Sequence, residues 1–405
     1  MAELLGMSKL KNVLSIKQAR VRLRYQYYDM KKFAYLFNRE LPRAFQMEKS
    51  VLGWCAKSVD AIADRTVLRG FENDVFDIWG IFQQNNVDIL ADSAILAALI
   101  GSCAFVVIIP DGNTGFPMLR VIDAYNATGV IDPVTRMLTE GYAVLERDSN
   151  EQPILEAYFV PGETWFYPKD KEPYSIKHPG DYAMLVPVIY RPDATRAFGH
   201  SRISRASMSL VESAMRTLQR SEISAEFYSY PQRYVLGMDE NAEQIDKWRA
   251  TMSTMLRIDK DEDGDRPVVG SFQTGSMTPY SEQLKTLAGM FAGESGLTLD
   301  DLGVPTANPS SAEAIKASHE ALRLTTRKAQ RVFGSCLLNV GFLAASMRDN
   351  FTYQRRQLYE TKALWEPIFE LDASQIGAVG DAVTKIQQAF PDYFTEAKLR
   401  DLTGI

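Results

Sequence analysis

The stretch CAFVVIIPDGNTGFPMLRVIDA, residues 103–124, contains the change of pattern that decides the fold class. An apolar run from Cys103 to Ile109 ends at a Pro-Asp-Gly turn, and a second apolar run follows it. Two short apolar runs that flank turn residues predict a β-hairpin. Before this point the apolar residues have helical spacing, with two helices expected between 74 and 100 that end at Gly101. The stretch therefore predicts strands inside a helical frame, an α+β fold.

The same patterns extend in both directions from this hairpin. Further alternating runs predict an antiparallel β-rich section over 103–190. On the N-terminal side, 16–48 and 51–68 are expected to be helical. The C-terminal part predicts a β-like segment followed by two helices, at 362–371, 373–390 and 395–404.

Residues 200–230 contain neither glycine nor proline, and they predict one long helix. This segment is crowded with small side chains, including Ser204, Ser207 and Ala214. Small side chains allow close approach, so the helix packs either in an ordinary core or against copies of itself. Sequence alone leaves both interpretations open.

A compact α/β insert is predicted after that helix. It contains a strand, a helix and a second strand, at 232–238, 241–257 and 266–272. A further helix is expected over 281–296, so the insert is a small module between two long helices. The loop that follows is polar and punctuated by Gly303 and Pro305, and it ends where Ser310 or Ser311 can cap a helix. We expect that last helix to cover 311–348, with interruptions at Gly334 and Gly341.

Composition excludes several classes of function. The 405 residues are 46% hydrophobic and 24% charged with a formal net charge of −6, which describes a globular protein without a broad cationic face for nucleic acid. The chain has no Gly-Lys dipeptide, and a phosphate-binding P-loop requires one. Its three cysteines are far apart and suggest reduced, buried thiols. The longest apolar run, 95–109, is shorter than the roughly 20 residues of a membrane helix.

Two motifs resemble catalytic or metal sites but are incomplete. His319 and Glu320 begin an HExxH pattern, but Arg323 stands where the second histidine would be. The acidic segment DKDEDGDRPVVG, 259–270, resembles a calcium loop but has Gly270 in place of the bidentate glutamate. We interpret this segment as a solvated acidic turn, and weak divalent binding stays open. No cofactor, metal site or catalytic group is predicted.

Five stretches in a fixed order resemble the portal proteins of tailed bacteriophages, of the siphophage type. They are ALIGSCAFVVIIPDGNTGFPMLRVIDAYNATGVIDPVTR (98–136), VIYRPDATRAFGHSRIS (188–204), FYSYPQRYVLG (227–237), LTLDDLGVPTANPSSAEAIKASHEAL (297–322) and LWEPIFELDASQIGAVGDAVTKI (364–386). No single stretch is as diagnostic as a metal site, but their order over most of the chain is specific.

The resemblance implies a portal fold with an α/β wing, a two-helix stem, a small α/β clip, a long wing helix and a helical C-terminal crown. It assigns these parts as follows: wing 1–199, first stem helix 200–230, clip 231–274, second stem helix 275–296, tunnel loop 297–310, long wing helix 311–348 and crown 349–405.

The resemblance also implies a structural function without an active site. The chain would form a ring, usually of twelve copies, at one capsid vertex of the virion, after assembly in the host cytoplasm. Double-stranded DNA would pass through the ring during packaging and ejection. The other implied partners are the major capsid and scaffolding proteins, the terminase large subunit and head-completion or adaptor proteins, with no membrane. The alternatives are a non-viral ring or adaptor and, less favoured, an enzyme that processes nucleic acid.

The implied site residues follow from this layout. The tunnel loop would face DNA through Thr298, Asp300, Asp301, Gly303, Pro305, Thr306, Asn308 and Ser310. The loop has no lysine or arginine, and we expect Asp300 and Asp301 to keep the aperture slippery while Gly303 and Pro305 set its flexibility. Lys285 would be a channel cation or, equally, the member of an external salt bridge. Partner docking at the clip would use Asp259, Asp261, Glu262, Asp263 and Asp265, and ring packing would use Ser204, Ser207 and Ala214.

Overall fold

Helices and strands share one chain, which confirms the α+β class. The computed structural model describes residues 4–34, 49–112, 115–229, 233–236, 268–271, 275–305, 317–369, 373–390, 393–394 and 399. The helices are α1 Met7–Tyr28, α2 Trp54–Ala63, α3 Ile78–Gln84, α4 Val87–Gly101, α5 Arg205–Ser229, α6 Thr278–Ser295, α7 Glu320–Arg348 and α8 Ala373–Ala389, with short 3-10 turns at Asp300–Leu302 and Arg355–Leu358. The strands are β1 Leu68–Glu72, β2 Cys103–Ile109, β3 Met118–Asp123, β4 Ala127–Ile131, β5 Leu138–Arg147, β6 Pro153–Val160, β7 Glu163–Pro168, β8 Tyr174–Lys177, β9 Leu185–Ile189, β10 Arg233–Leu236, β11 Val268–Ser271 and β12 Lys362–Trp365.

Strand β2 lies at the centre of the main core. It pairs antiparallel with β3 on one side and with β9 on the other, so that Phe105 lies opposite both Ile122 and Pro187. Helix α4 packs on β2 and β3, and α7 packs along β9. A strand covered in this way has no solvent face, which is why its sequence is a continuous apolar run and does not alternate. The predicted hairpin at 103–124 is therefore confirmed.

The remaining strands of the β-rich section form a second antiparallel sheet in the order β4-β5-β6-β7-β8. Helix α1 packs on β4 and β5, where Leu10 and Leu14 form a small core with Tyr142 and Val144. The buried Glu140 carboxylate of β5 accepts the backbone N–H of Leu5 at 2.6 Å and that of the helix N-cap, Gly6, at 3.1 Å. A carboxylate at a helix N-terminus is favoured by the helix dipole, and it fixes α1 on the sheet.

One sheet joins distant parts of the chain and was not expected. Strands β1 and β12 pair antiparallel, with Phe71 opposite Ala363 and Glu72 opposite Lys362. The expectation of helix over 51–68 is wrong at its C-terminal end, because α2 stops at Ala63 and Leu68 begins β1.

The long helix α7 is not interrupted by its glycines, contrary to the prediction. It continues through Gly334 and Gly341 as one helix. A Cβ at Gly334 would lie 3.0 Å from Ala363 Cβ, and a Cβ at Gly341 would overlap the Ile78 side chain. The two glycines therefore let α3 and β12 approach the helix closely.

Some predicted elements have other bounds in the structure, and some lie outside the described residues. Helix α1 begins nine residues before the predicted start at 16, and 35–48 lie outside the described residues. The predicted helices at 241–257 and 395–404 and the predicted cap at Ser310 or Ser311 also lie outside the described residues, apart from residue 399. Within the described ranges, the helices are all too short or too polar to span a bilayer.

Candidate functional site

Helices α5 and α6 lie side by side and run in opposite directions. Ser204, at the start of α5, donates to the Glu294 carboxylate near the end of α6 at 2.8 Å. At the other end, the hydroxyls of Ser224 and Tyr280 lie 2.9 Å apart. The antiparallel strands β10 and β11 pair with each other in the segment that joins the two helices. The prediction of two long helices with a β-containing insert between them is therefore confirmed for the described residues.

The chain enters α5 through the Gly-His-Ser-Arg-Ile motif, residues 199–203. Gly199 has φ +70°, and a Cβ there would collide with the Tyr190 carbonyl. The next residue, His200, donates its backbone N–H to that same carbonyl at 3.0 Å. Ser201 donates its hydroxyl to Ile100 O at 2.6 Å, at the end of α4. The motif therefore fixes the base of the helix pair on the core.

Arg202 is the centre of this anchor. Its side chain is buried, and its guanidinium donates to Ser58 O of α2 at 3.1 Å and to Ser295 O, the last carbonyl of α6. Its own backbone N–H donates to Leu99 O at 2.8 Å. Burial lowers the pKa of Arg202 from its ordinary value, but an arginine stays charged near neutral pH. A cation at a helix C-terminus is stabilised by the helix dipole, so Arg202 holds α2, α4 and α6 together.

The segment that leaves α6 is anchored before it becomes exposed. Gly296 ends the helix with φ +65°, and Leu297 is 7% exposed. Leu299, Leu302 and Val304 are partly buried and pack on the main core. Residues 297–304 therefore lie against the body of the molecule, and the tunnel-loop assignment of 297–310 stays a prediction.

Thr298 and Asp301 stabilise the turn in this segment. The Asp301 carboxylate accepts the Thr298 backbone N–H at 2.9 Å and its hydroxyl at 2.8 Å, and Asp301 N donates to Thr298 Oγ1 at 3.2 Å. The His319 ring, at the start of α7, has Nδ1 3.7 Å from Asp301 Oδ2. Asp301 is thus occupied within the chain, which leaves Asp300, Gly303 and Pro305 as the exposed members of the predicted site.

The small residues predicted for ring packing require a correction. Ser207 is 2% exposed and Ala214 is fully buried within a single chain. Ser204 accepts the Ser207 N–H at 3.0 Å, as an N-cap does, and also bonds Glu294. Ser207 and Ala214 therefore pack inside the protomer, which favours the ordinary-core interpretation for these two residues. Ser204 is partly exposed, and its contact with a neighbouring copy stays a prediction.

The other predicted positions are less constrained by the structure. Lys285 is exposed on α6 and forms no ion pair with any residue that the structure describes. Three tunnel-loop positions and the five acidic clip positions lie outside the described residues: Thr306, Asn308, Ser310, Asp259, Asp261, Glu262, Asp263 and Asp265. Among the described residues, no group of three or more histidine, cysteine, aspartate or glutamate side chains is arranged to hold a metal.

Arg202, Glu294 and His319 were not predicted as site residues. Arg202 had a signal, because it lies within a motif quoted for the family resemblance. Glu294 and His319 had none, since their partners are 90 and 18 residues away in the sequence.

Comparisons with known proteins identify relatives over most of the chain. No protein-family profile matches it. The chain is 26% identical over 330 residues to the portal protein of Mycobacterium phage L5, which covers 76% of this chain and 67% of that relative. It is also 26% identical over 336 residues to the portal protein of Mycobacterium phage D29, which covers 78% of this chain and 68% of that one.

Similar solved structures come from gene transfer agent (GTA) particles. A chain in the virion of a native GTA particle has a TM-score of 0.48 and 14% identity, with 87% of this chain and 89% of that chain covered. A chain in the neck of a native GTA particle, computed with C12 symmetry, has a TM-score of 0.46 and 15% identity at the same coverage. The two phage relatives confirm the resemblance drawn from the five stretches, and this chain is similar over most of its length to bacteriophage portal proteins.

Proposed function

We propose that the chain forms a ring, of twelve copies as the resemblance implies, through which double-stranded DNA passes during packaging and ejection. The observation that carries this proposal is the segment after α6, which packs on the body of the molecule while it exposes Asp300, Gly303 and Pro305, and which contains no cation. Its anchored part ends at Val304, and no lysine or arginine occurs from 297 to 311. The similarity to two phage proteins named portal proteins supports this proposal.

In this proposal the parts of the chain keep the family layout. Residues 1–199 and 311–348 form the wing, α5 and α6 form the stem, 231–274 form the clip and 349–405 form the crown. Arg202 then sits where the stem meets the wing and transmits load between them, because it bonds α2 and α6 at once. A stem fixed in this way keeps the tunnel loop at a constant distance from the ring axis.

The chemistry of the exposed residues suits a surface that DNA slides past. Lysine and arginine bind phosphates, and each such contact must break as the duplex advances. Asp300, Gly303 and Pro305 offer no such contact, and Asp300 repels phosphate. Lys285 is exposed on α6 and is either a channel cation or a residue of the outer surface.

The same ring would dock other head proteins. We assign the acidic clip positions Asp259, Asp261, Glu262, Asp263 and Asp265 to the terminase large subunit during packaging and to head-completion proteins afterwards. The wing and crown would meet the major capsid and scaffolding proteins. The protein would act as a structural virion component without catalysis of its own, assembled in the host cytoplasm.

Negative-stain microscopy and native mass spectrometry of the purified full chain test the ring. The expected result is a closed ring with a central hole and a single stoichiometry. A monomer that stays monomeric at high concentration and in the presence of the capsid and scaffolding proteins would contradict it.

Photo-crosslinking tests which surface meets DNA. The native thiols are poor targets, since Cys55, Cys103 and Cys336 are buried and burial raises their pKa to about 12, 12 and 11. A photo-crosslinker attached through Asp300→Cys in assembled, filled heads should label the genome. The control, Val134→Cys, lies in the β4–β5 turn and is 86% exposed, and it should not label. Equal labelling at both positions would refute the assignment of the tunnel loop.

A further inference from the structure

A cavity of about 580 Å³ lies between α7 and the turn that follows β9. Its volume is within the range of ordinary ligand sites. One wall is Pro187 and Ile189 of β9 with Pro192 of the turn, and the opposite wall is Val332 of α7. The β4–β5 turn closes one side with Arg136.

Three cationic side chains surround the cavity. Arg136, Lys328 and Arg331 line it and are exposed to solvent. Within the described ranges none of the three forms a side-chain hydrogen bond or an ion pair. This concentration of cations occurs in a chain with a net charge of −6, so it does not follow from a generally basic surface.

One carboxylate, that of Asp193, lies at the cavity and offsets part of this positive charge. Asp193 Oδ1 accepts the Thr195 backbone N–H at 2.8 Å, the Thr195 hydroxyl at 2.9 Å and the Arg196 N–H at 2.6 Å. Its Oδ2 lies 2.6 Å from His200 Nε2. The His200 contact, followed by these backbone and hydroxyl donors, holds the Asp193 pKa well below its usual range, so Asp193 stays ionised. Three cations against one carboxylate leave the cavity lining with an excess of positive charge.

The apolar walls decide between two kinds of anion. A nucleic-acid backbone carries hydrated phosphates and gains little from contact with proline, isoleucine and valine, whereas a peptide can place apolar side chains there and carboxylates on the cationic rim. From this combination we infer that the cavity binds an acidic peptide segment of a partner protein, one that alternates carboxylates with apolar side chains. The binding site is independent of the channel, and it does not require the ring.

Panning of a random octapeptide phage-display library on the purified full chain tests the inference. The enriched peptides should combine aspartate or glutamate with apolar residues. Synthetic peptides of the enriched consensus would then be measured by fluorescence anisotropy at two salt concentrations, and binding should weaken with salt. No enrichment, or enrichment of neutral or basic peptides, overturns the proposal.

Variants locate the binding. Lys328→Glu with Arg331→Glu should weaken binding of the consensus peptide by roughly tenfold or more, because it reverses the rim charge. Arg327→Glu is the matched control, since it makes the same kind of change on the same helix at an exposed residue that does not line the cavity, and it should leave binding unchanged. Thermal unfolding of each variant verifies the fold. An equal loss in the control overturns the assignment to this cavity, as does binding of a duplex oligonucleotide that competes fully with the peptide.

Discussion

At the scale of single residues, Arg202 connects segments that are far apart in the sequence. Its guanidinium reaches backbone carbonyls of α2 and α6, and its backbone N–H reaches α4. Every residue has a backbone carbonyl, so the sequences of α2, α4 and α6 do not identify which carbonyls bind Arg202. The Gly-His-Ser-Arg-Ile motif was part of the family resemblance, but only the structure shows which backbone carbonyls Arg202 binds.

Replacement of Arg202 by methionine should destabilise the fold. The methionine fills part of the volume but leaves the buried Ser295 O without its donor, whereas Ser58 O keeps its partner within α2, and the change should cost about 1–3 kcal/mol in the free energy of unfolding. Urea unfolding measures this change. Arg205→Met, three residues later and exposed, is the control and should shift the midpoint little. Similar midpoints for the two variants would show that Arg202 is not the anchor.

His178 should make the stability depend on pH. It is buried after β8, and burial lowers its pKa from the ordinary value of about 6.5. As the pH falls below 6.5 the unfolded chain takes up the proton and the folded chain resists it, so stability is lost toward acid and is complete above that pH. His178→Leu should flatten the decrease in melting temperature between pH 7 and 5.5. Because His200 and His319 are present in both proteins, parallel curves would exclude His178 as the cause.

At the scale of elements, the sequence pattern predicted those helices and strands whose apolar spacing lies within one continuous segment. The hairpin of β2 and β3 and the helices α4, α5 and α6 were expected because their apolar spacing lies within one segment. The β1–β12 sheet was missed because its strands are almost 300 residues apart, and a five-residue and a four-residue strand carry little periodicity. The glycines of α7 were misjudged for a related reason, since the neighbours that need the space come from other parts of the chain.

Two glycine substitutions separate helix propensity from packing. Gly341→Ala would place a Cβ against Ile78, so it should cost about 1–3 kcal/mol despite the better helix propensity of alanine. Gly377→Ala on α8 meets no atom within 4 Å and should stabilise by about 0.5–1 kcal/mol. Chemical denaturation gives both values. Stabilisation by both substitutions would mean that α3 does not pack as closely on α7 as described.

At the scale of the whole molecule, charge is distributed unevenly. The net charge is −6, yet three cations without a side-chain partner among the described residues surround the cavity beside α7, and the sequence from 297 to 311 contains no lysine or arginine. The first surface is suited to hold an acidic partner, and the second is suited to release a polyanion. The acidic composition indicated that the chain does not grip DNA broadly. The cationic cavity could not be predicted in this way, because only the fold brings Arg136 near α7.

Charge reversal at Asp300 tests the sliding surface in the assembled ring. In the proposed ring, Asp300→Lys would place a cation from every subunit beside the duplex, so phosphate contacts would form and would have to break at each step. We expect slower packaging and stronger retention of DNA, both relieved by salt because counterion release drives the contacts. Asp301 is left unchanged, since it holds Thr298 in place. Val134→Lys adds a cation at a distant exposed turn and should package normally. A packaging rate that is unaffected by Asp300→Lys at every salt concentration would mean that the duplex does not pass close to this residue.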